Sequence, residues 1–159
     1  MPVKIVRPFN TFGPRQSARA IIPTIISQVL AGQTTLKLGN LTPTRDFTFV
    51  KDTAHGFVSI VKEAKLNGQA TNIGMNEEIS VEDLVYLIGE LMGTKITIAT
   101  DGTRLRPKLS EVERLRCDHT KLMAATDWRP RYSLREGLLE TIEFIKSKMN
   151  MYKPELYNV

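Results

Sequence analysis

No glycine-rich phosphate loop occurs anywhere in this 159-residue chain: it has no Gly-x-Gly-x-x-Gly, no Walker loop and no Gly-x-Ser-x-Gly. A self-contained dinucleotide site, a P-loop nucleotidase and a serine-hydrolase elbow are thereby excluded. Cysteine occurs once, at Cys117, so no internal disulfide forms and a reducing, cytoplasmic setting is expected. Cys117 itself reads as a small apolar strand residue. The two histidines, His55 and His119, are far apart and read as surface or capping residues, and no Cys/His cluster has metal-ligand spacing. None of the four tyrosines is followed by a lysine four residues on. No apolar run is long enough to span a bilayer, and Met1-Pro2-Val3-Lys4 does not open a secretory signal.

What is present is a soluble composition, 42% hydrophobic and 25% charged, at the length of one domain. A chain of this size buries enough surface to fold without staples. The net charge of +5 raises nucleic acid as a partner. The basic residues are spread along the chain, however, without interleaved aromatics or a recognisable module, which argues against it. A small anionic ligand accounts for the arginines equally well.

The opening run Arg7-Pro8-Phe9-Asn10-Thr11-Phe12-Gly13-Pro14-Arg15 is the most informative stretch. Val3, Ile5 and Val6 before it predict a buried strand. Pro8, Gly13 and Pro14 then force a loop at the strand's C-terminal end, where open α/β sheets bind ligands. Ile22, Ile25, Ile26, Val29 and Leu30 predict a helix with Pro23 in its first turn. Strands follow at 35–38 and 47–50. Asp52 reads as the N-cap of a helix burying Phe57, Val58, Ile60 and Val61. Ala70–Ile73 predicts a second buried strand. Ser80 with Asp83 opens a helix over Leu84–Leu91, and 95–98 alternates as a strand. Asp118 caps a short helix closed by Trp128 and Pro130. Ser133 with Glu136 opens the last helix, with Leu134, Leu138, Leu139, Ile142 and Ile145 inward. The residues from Asn150 onward read as a loose tail.

Strands alternating with helices give an α/β class. Only the strands near Val3 and Ala70 read as fully buried, and the others as a smaller, half-exposed lobe. Arg7, Arg15, Arg45 and Arg106 lie beside prolines and strand ends, and guanidinium groups match phosphate oxygens with paired hydrogen bonds. Asn10 can donate and accept, as a phosphate or sugar hydroxyl requires.

Arg7–Gln16 resembles the R-x-x-N-x-Y/F-G-P-R-Q signature of extended short-chain dehydrogenases acting on nucleotide sugars. Arg45-Asp46-Phe47-Thr48-Phe49-Val50-Lys51-Asp52 is similar to their R-D-F/Y-x-x-V-x-D motif. Arg106-Pro107 with Ser110-Glu111-Val112, then Asp118, Lys121 and Trp128-x-Pro130, resembles their carboxyl-terminal substrate-lobe pattern. The nearest resemblance is to NAD-dependent sugar-nucleotide 4,6-dehydratases and epimerases of bacterial surface-sugar synthesis. It covers the carboxyl half of such an enzyme and implies a truncated member. The glycine-rich loop, the Tyr-x-x-x-Lys pair and the acid/base carboxylates would belong to the other half.

The fold implied is the C-terminal part of a Rossmann-like sheet, about two strands at 1–16 and 47–74, plus a small α/β substrate lobe at 17–46 and 75–149, with a tail at 150–159. By the same resemblance, Asn10 would contact the substrate's phosphate, with Arg15 beside it, and Arg45 and Arg106 would clamp the diphosphate. Glu111 would hold the ribose; Leu38 and Gly39 would line the base pocket with Ile22 and Pro23. Pro8 and Phe9 would lie near the nicotinamide of NAD in an intact relative, while this chain alone would bind no cofactor and carry no catalytic residue or metal. The implied ligand is a nucleotide diphosphate sugar. A second reading is a non-enzymatic module that dimerises or complements a separate amino-terminal half, because a half-sheet exposes edges and apolar faces.

Overall fold

Brief β-branched and aromatic runs, each cut short by glycine, proline or a polar cap, give strands of two to four residues between helices of six to fourteen. The computed structural model describes residues 2–100 and 112–152. Arg106 and Glu111, with most of the polar stretch after Thr100 and the end of the tail, lie outside the described residues. In chain order the strands are β1 (Ile5–Pro8), β2 (Asn10–Phe12), β3 (Thr35–Leu38), β4 (Thr44–Arg45), β5 (Phe47–Phe49), β6 (Ala70–Ile73), β7 (Ile79–Ser80), β8 (Thr97–Thr100) and β9 (Arg114–Leu115). The helices are α1 (Ile21–Leu30), α2 (Val50–Lys62), α3 (Val81–Leu91), α4 (Thr120–Ala125) and α5 (Leu134–Ser147).

Three parallel pairs, β1–β6, β2–β5 and β3–β8, accompany a three-stranded sheet in the order β7-β4-β9. The larger core lies around β2 and β5. Phe12 and Phe49 are 1% exposed, and Ile22, Ile25, Ile26, Leu84, Ile88, Leu138 and Ile145 are wholly buried around them. Gly137 lets α5 sit on this pair, since a Cβ there would come 2.7 Å from Phe12 and 2.8 Å from Phe49. A smaller core joins Ile60, Leu66, Ile73, Leu122 and Trp128 beside β6.

Pro23 occupies the first turn of α1, where its missing N–H breaks no helical bond. Both serine caps form: Ser80 Oγ accepts the Asp83 N–H, and Ser133 with Glu136 closes a full capping box.

Several expectations are corrected. The β1 strand is not buried: Val3 and Ile5 are 49% and 50% exposed, because β1 pairs with β6 alone and its outer side is uncovered among the described residues. The fully buried strand is instead β5, and the main core joins Phe12, Phe47 and Phe49 to buried residues of α1, α3 and α5. Phe49, not Asp52, is the N-cap of α2, so Asp52 falls in the first turn. Of the four residues assigned to that helix's buried side only Ile60 is interior; Phe57, Val58 and Val61 are exposed. Leu139 of α5 also faces outward. Tyr152 is not loose: its ring is buried, and its hydroxyl lies 3.4 Å from the Gln16 carbonyl.

Candidate functional site

The signature loop leaves β2 through a turn closed by the Gln16 N–H on the Gly13 carbonyl at 3.2 Å. Gly13 has φ +148°, and a Cβ there would sit 2.5 Å from Val50 Cγ1, so only glycine fits against the start of α2. Arg15 adopts φ +69°, a left-handed conformation unusual for a residue with a side chain, and is exposed. The Gln16 carboxamide spans the loop, donating to the Thr11 carbonyl at 3.0 Å.

Asn10 begins β2, in register with Phe47 of β5, and its Nδ2 donates to the Asp46 carbonyl at 3.0 Å. A carbonyl only accepts, so this bond fixes which end of the carboxamide faces Asp46. Arg45, half-buried on β4, precedes that same peptide and donates from Nη1 to the Thr44 carbonyl at 2.8 Å. Asn10 and Arg45 are thus each anchored to the backbone of the segment Thr44–Asp46, on carbonyls two residues apart.

Asp46 holds that segment in place. Its carboxylate is wholly buried and accepts the N–H groups of Met75 and Asn76 at 2.9 Å each, that of Cys117 at 3.1 Å, and the Thr48 hydroxyl at 3.4 Å. Its own N–H donates to the Leu115 carbonyl. A buried carboxylate survives only with such a full set of donors. The second aspartate of the motif works in the same way: Asp52 accepts the N–H of Arg131 at 3.1 Å and of Tyr132 at 3.0 Å, and its carbonyl takes the Trp128 indole N–H at 3.1 Å. Neither role was read from the sequence. The signal was there in two acidic residues flanking the apolar stretch Phe47, Phe49 and Val50.

Other placements are plain. Ile22, Pro23 and Leu38 spend their side chains in the core, and Gly39 is half-buried at the end of β3. Pro8 is exposed at the end of β1, and Phe9 is half-buried after it. His119 Nδ1 meets the Gly74 carbonyl at 2.7 Å, a structural contact. Cys117 is 1% exposed, and burial pushes its thiol from 9.0 up to about 12, with the charges of Asp46 and Asp118 adding to this, so it is inert as a nucleophile. Glu78 is held below the usual carboxylate range by hydrogen bonds from Arg114 and then Thr44, which tie β9 and β4 to the segment before β7. Among the described residues no group of three His, Cys, Asp or Glu could hold a metal. No described helix is long and apolar enough to cross a membrane.

A dinucleotide needs a cradle of backbone N–H groups for its pyrophosphate at a strand-to-helix turn. Pro8 has no N–H, and the Phe9 N–H is engaged by the Ile73 carbonyl at 2.9 Å.

Residues 1–141 match the model of the GDP-mannose 4,6 dehydratase family. The chain belongs to this family. It is 34% identical over 147 residues to a UDP-glucose 4-epimerase of Mycolicibacterium smegmatis, a match covering 90% of this chain and 45% of the relative. It is 32% identical to a UDP-N-acetyl-alpha-D-glucosaminuronate decarboxylase of Bacillus cytotoxicus, covering 94% of this chain and 48% of that one. Among solved structures, the UDP-glucuronic acid 4-epimerase of Bacillus cereus, in complex with UDP-glucuronic acid and NAD, superposes with a TM-score of 0.82 at 28% identity, covering 93% of this chain and 46% of that one. The chain therefore spans about half the length of the relatives it matches, and its fold is half of a Rossmann-like epimerase/dehydratase domain.

Proposed function

We propose that this chain is the nucleotide-sugar-binding half of an NAD-dependent sugar-nucleotide epimerase or 4,6-dehydratase, catalytically incomplete alone. The observation that carries the reading is the segment Thr44–Asp46, where the Arg45 guanidinium donates to the Thr44 carbonyl and the Asn10 carboxamide to the Asp46 carbonyl, two residues apart at the strand ends. A diphosphate suits that pair, with Arg15 on the neighbouring loop and Arg106 as the second clamp. Glu111 takes the ribose. Gly39 offers backbone to the base, backed from within the core by Ile22, Pro23 and Leu38.

In an intact relative the tyrosine of Tyr-x-x-x-Lys would take the proton of the sugar hydroxyl. No tyrosine of this chain has a lysine four residues on, and the His119 Nδ1 is engaged with the Gly74 carbonyl, which supports the reading that the base lies elsewhere in the complete enzyme. NAD would accept hydride when bound in the complete enzyme; Pro8 and Phe9 would border its nicotinamide.

Calorimetric titration of UDP and dTDP into the purified chain tests this. Binding is expected, and Arg45→Ala should weaken it about 10- to 100-fold, the worth of one charge-assisted contact of roughly 1.5–3 kcal/mol. Absence of binding at millimolar nucleotide, or indifference to Arg45→Ala, overturns the binding role. Turnover of UDP-glucose by the chain with added NAD overturns the catalytic incompleteness.

A further inference from the structure

A polar cleft of about 600 Å³ opens beside β9, lined by Asn76, Arg114, Arg116, Cys117, Asp118 and Thr120. The sheet β7-β4-β9 separates it from Arg45. Thr44 pairs with Arg114 and Arg45 with Leu115, and successive side chains of a strand alternate between faces. The Thr44 hydroxyl and the Arg114 guanidinium accordingly meet on one carboxylate, donating to Glu78 at 2.8 Å and 2.7 Å, while Arg45 falls in the other phase. Arg116 follows in the phase of Arg114, and its Nε donates to the Asn76 carbonyl at 2.9 Å.

The walls of this cleft are held from beneath. The buried Asp46 carboxylate accepts the N–H groups of Asn76 and Cys117, one from each wall. A Cβ at Gly74 would collide with Cys117, so the two segments run in direct contact. Asn76 turns the chain at φ +60°, a left-handed conformation that asparagine tolerates better than most residues. Over this floor the Arg116 Nη1 and Nη2 groups and the Asn76 carboxamide have no hydrogen-bond partner among the described residues. Arg114 differs, being spent on Glu78. At the other end Asp118 accepts the Thr120 N–H at 2.9 Å. The Thr120 hydroxyl, and then that N–H, hold the Asp118 carboxyl below its usual range, so it stays ionised.

We propose that this cleft binds a small carboxylate that also carries a hydrogen-bond donor, a hydroxy or amino acid, with its carboxylate on Arg116 and its donor on Asp118. The outer edge of a guanidinium offers two parallel N–H groups, which the two oxygens of a carboxylate fill together. The Asn76 carboxamide supplies one further donor to the same group. An ionised Asp118 only accepts, so it selects a ligand with a donor and repels a second negative charge. A phosphate monoester, which carries nearly two charges, is disfavoured between Asp118 and Glu78. The assignment stands apart from the nucleotide-sugar reading, because its groups lie across the sheet from Arg45.

The probes are glycolate, 3-hydroxypropionate and 4-hydroxybutyrate, with acetate, propionate and butyrate as matched acids that lack the donor. Each is titrated into the full chain at constant ionic strength and followed by the arginine Nε and asparagine side-chain signals in proton–nitrogen NMR. At least one hydroxy acid should saturate the Arg116 and Asn76 signals with a dissociation constant on the order of millimolar. It should bind about threefold or more tighter than its matched acid, the worth of one added hydrogen bond. Arg116 and Asp118 are exposed and belong to neither core, so substitutions there should leave the circular dichroism unchanged. Arg116→Lys, which keeps the charge and loses the paired donors, should weaken binding about tenfold. Asp118→Asn should erase the preference for the hydroxy acid. UDP should not displace the bound acid. Failure to saturate, an equal response to chloride or inorganic phosphate, no preference over the matched acids, or indifference to Arg116→Lys overturns the proposal. Displacement by UDP would join the cleft to the nucleotide-sugar site and overturns it too.

Discussion

The region around β2, β5, α1, α3 and α5 and the region around β1, β6, α2 and α4 solve the same problem to different depths. In the first, a parallel pair is covered so well that β5 shows no exposed residue and the phenylalanines of both strands interlock at 5.6–6.3 Å between ring centroids. In the second, a parallel pair of equal kind keeps half-exposed Val3 and Ile5 and leans on five buried side chains. The strand sequences do not explain the difference, since Ile5-Val6-Arg7-Pro8 is as β-prone as Asn10-Thr11-Phe12. What differs is the number of layers that the rest of the described chain supplies.

Asp46 sits on the seam, reaching from the start of β5 to the Met75–Asn76 turn after β6 and to Cys117. Asp46→Ala should therefore separate the two regions. It strands three backbone N–H groups, each costing about 1–3 kcal/mol when buried without a partner. A loss of about 3 kcal/mol or more is expected in urea unfolding, with the single transition splitting in two. A loss below about 1 kcal/mol would mean that water repairs the seam and the comparison is drawn in the wrong place.

How far the sequence disclosed this is uneven, for physical reasons. Helices were legible because their caps and periodicity are local: Ser80, Ser133 and Pro23 each act on their own turn. Burial of β1 and of one face of α2 was misjudged because an apolar residue records the surface it is suited to cover, while coverage depends on elements elsewhere. Asp52 was taken for a cap because caps are common at that spacing, yet its acceptor capacity is spent on the chain 79 and 80 residues away. Asn10 and Arg45 stand out in the sequence by residue type, and the structure gives each a backbone carbonyl to donate to. The role of the Asp46 carboxylate, which gathers the Met75, Asn76 and Cys117 N–H groups, is hidden in the sequence, since a buried acid in a short motif looks the same as a solvated one until its donors are seen.

Cys117 sharpens the comparison from the other side of the seam, with a smaller effect. Its thiol titrates near 9.0 when exposed and at about 12 in the folded chain. The unfolded chain therefore loses this proton first as pH rises. The contribution is fully present below about 9 and fades as pH climbs towards 12. Measured against Cys117→Ala, whose profile removes the lysine and tyrosine titrations common to both, the native chain should lose stability more steeply over that window. Iodoacetamide at pH 8 should modify the thiol only after unfolding. Modification at the rate of a free thiol would show that the seam opens on its own.

The smallest effect is the most telling about the second region. Ile60 and Val58 stand two positions apart on α2, one wholly buried and the other 50% exposed. Ile60→Ala should cost about 2–5 kcal/mol, as truncation of a core side chain does. Val58→Ser should stay within about 0.5 kcal/mol in the chain alone, because the side chain is 50% exposed and lies outside both buried cores. If Val58→Ser instead destabilises the chain by more than about 1 kcal/mol in thermal or urea unfolding, α2 already buries its outer stripe in solution. The contrast between a well-covered and a sparsely covered region would then collapse. If it is neutral, the outer stripe of α2 adds nothing measurable to the fold, and the stability of that helix rests on Ile60 and the small core around it.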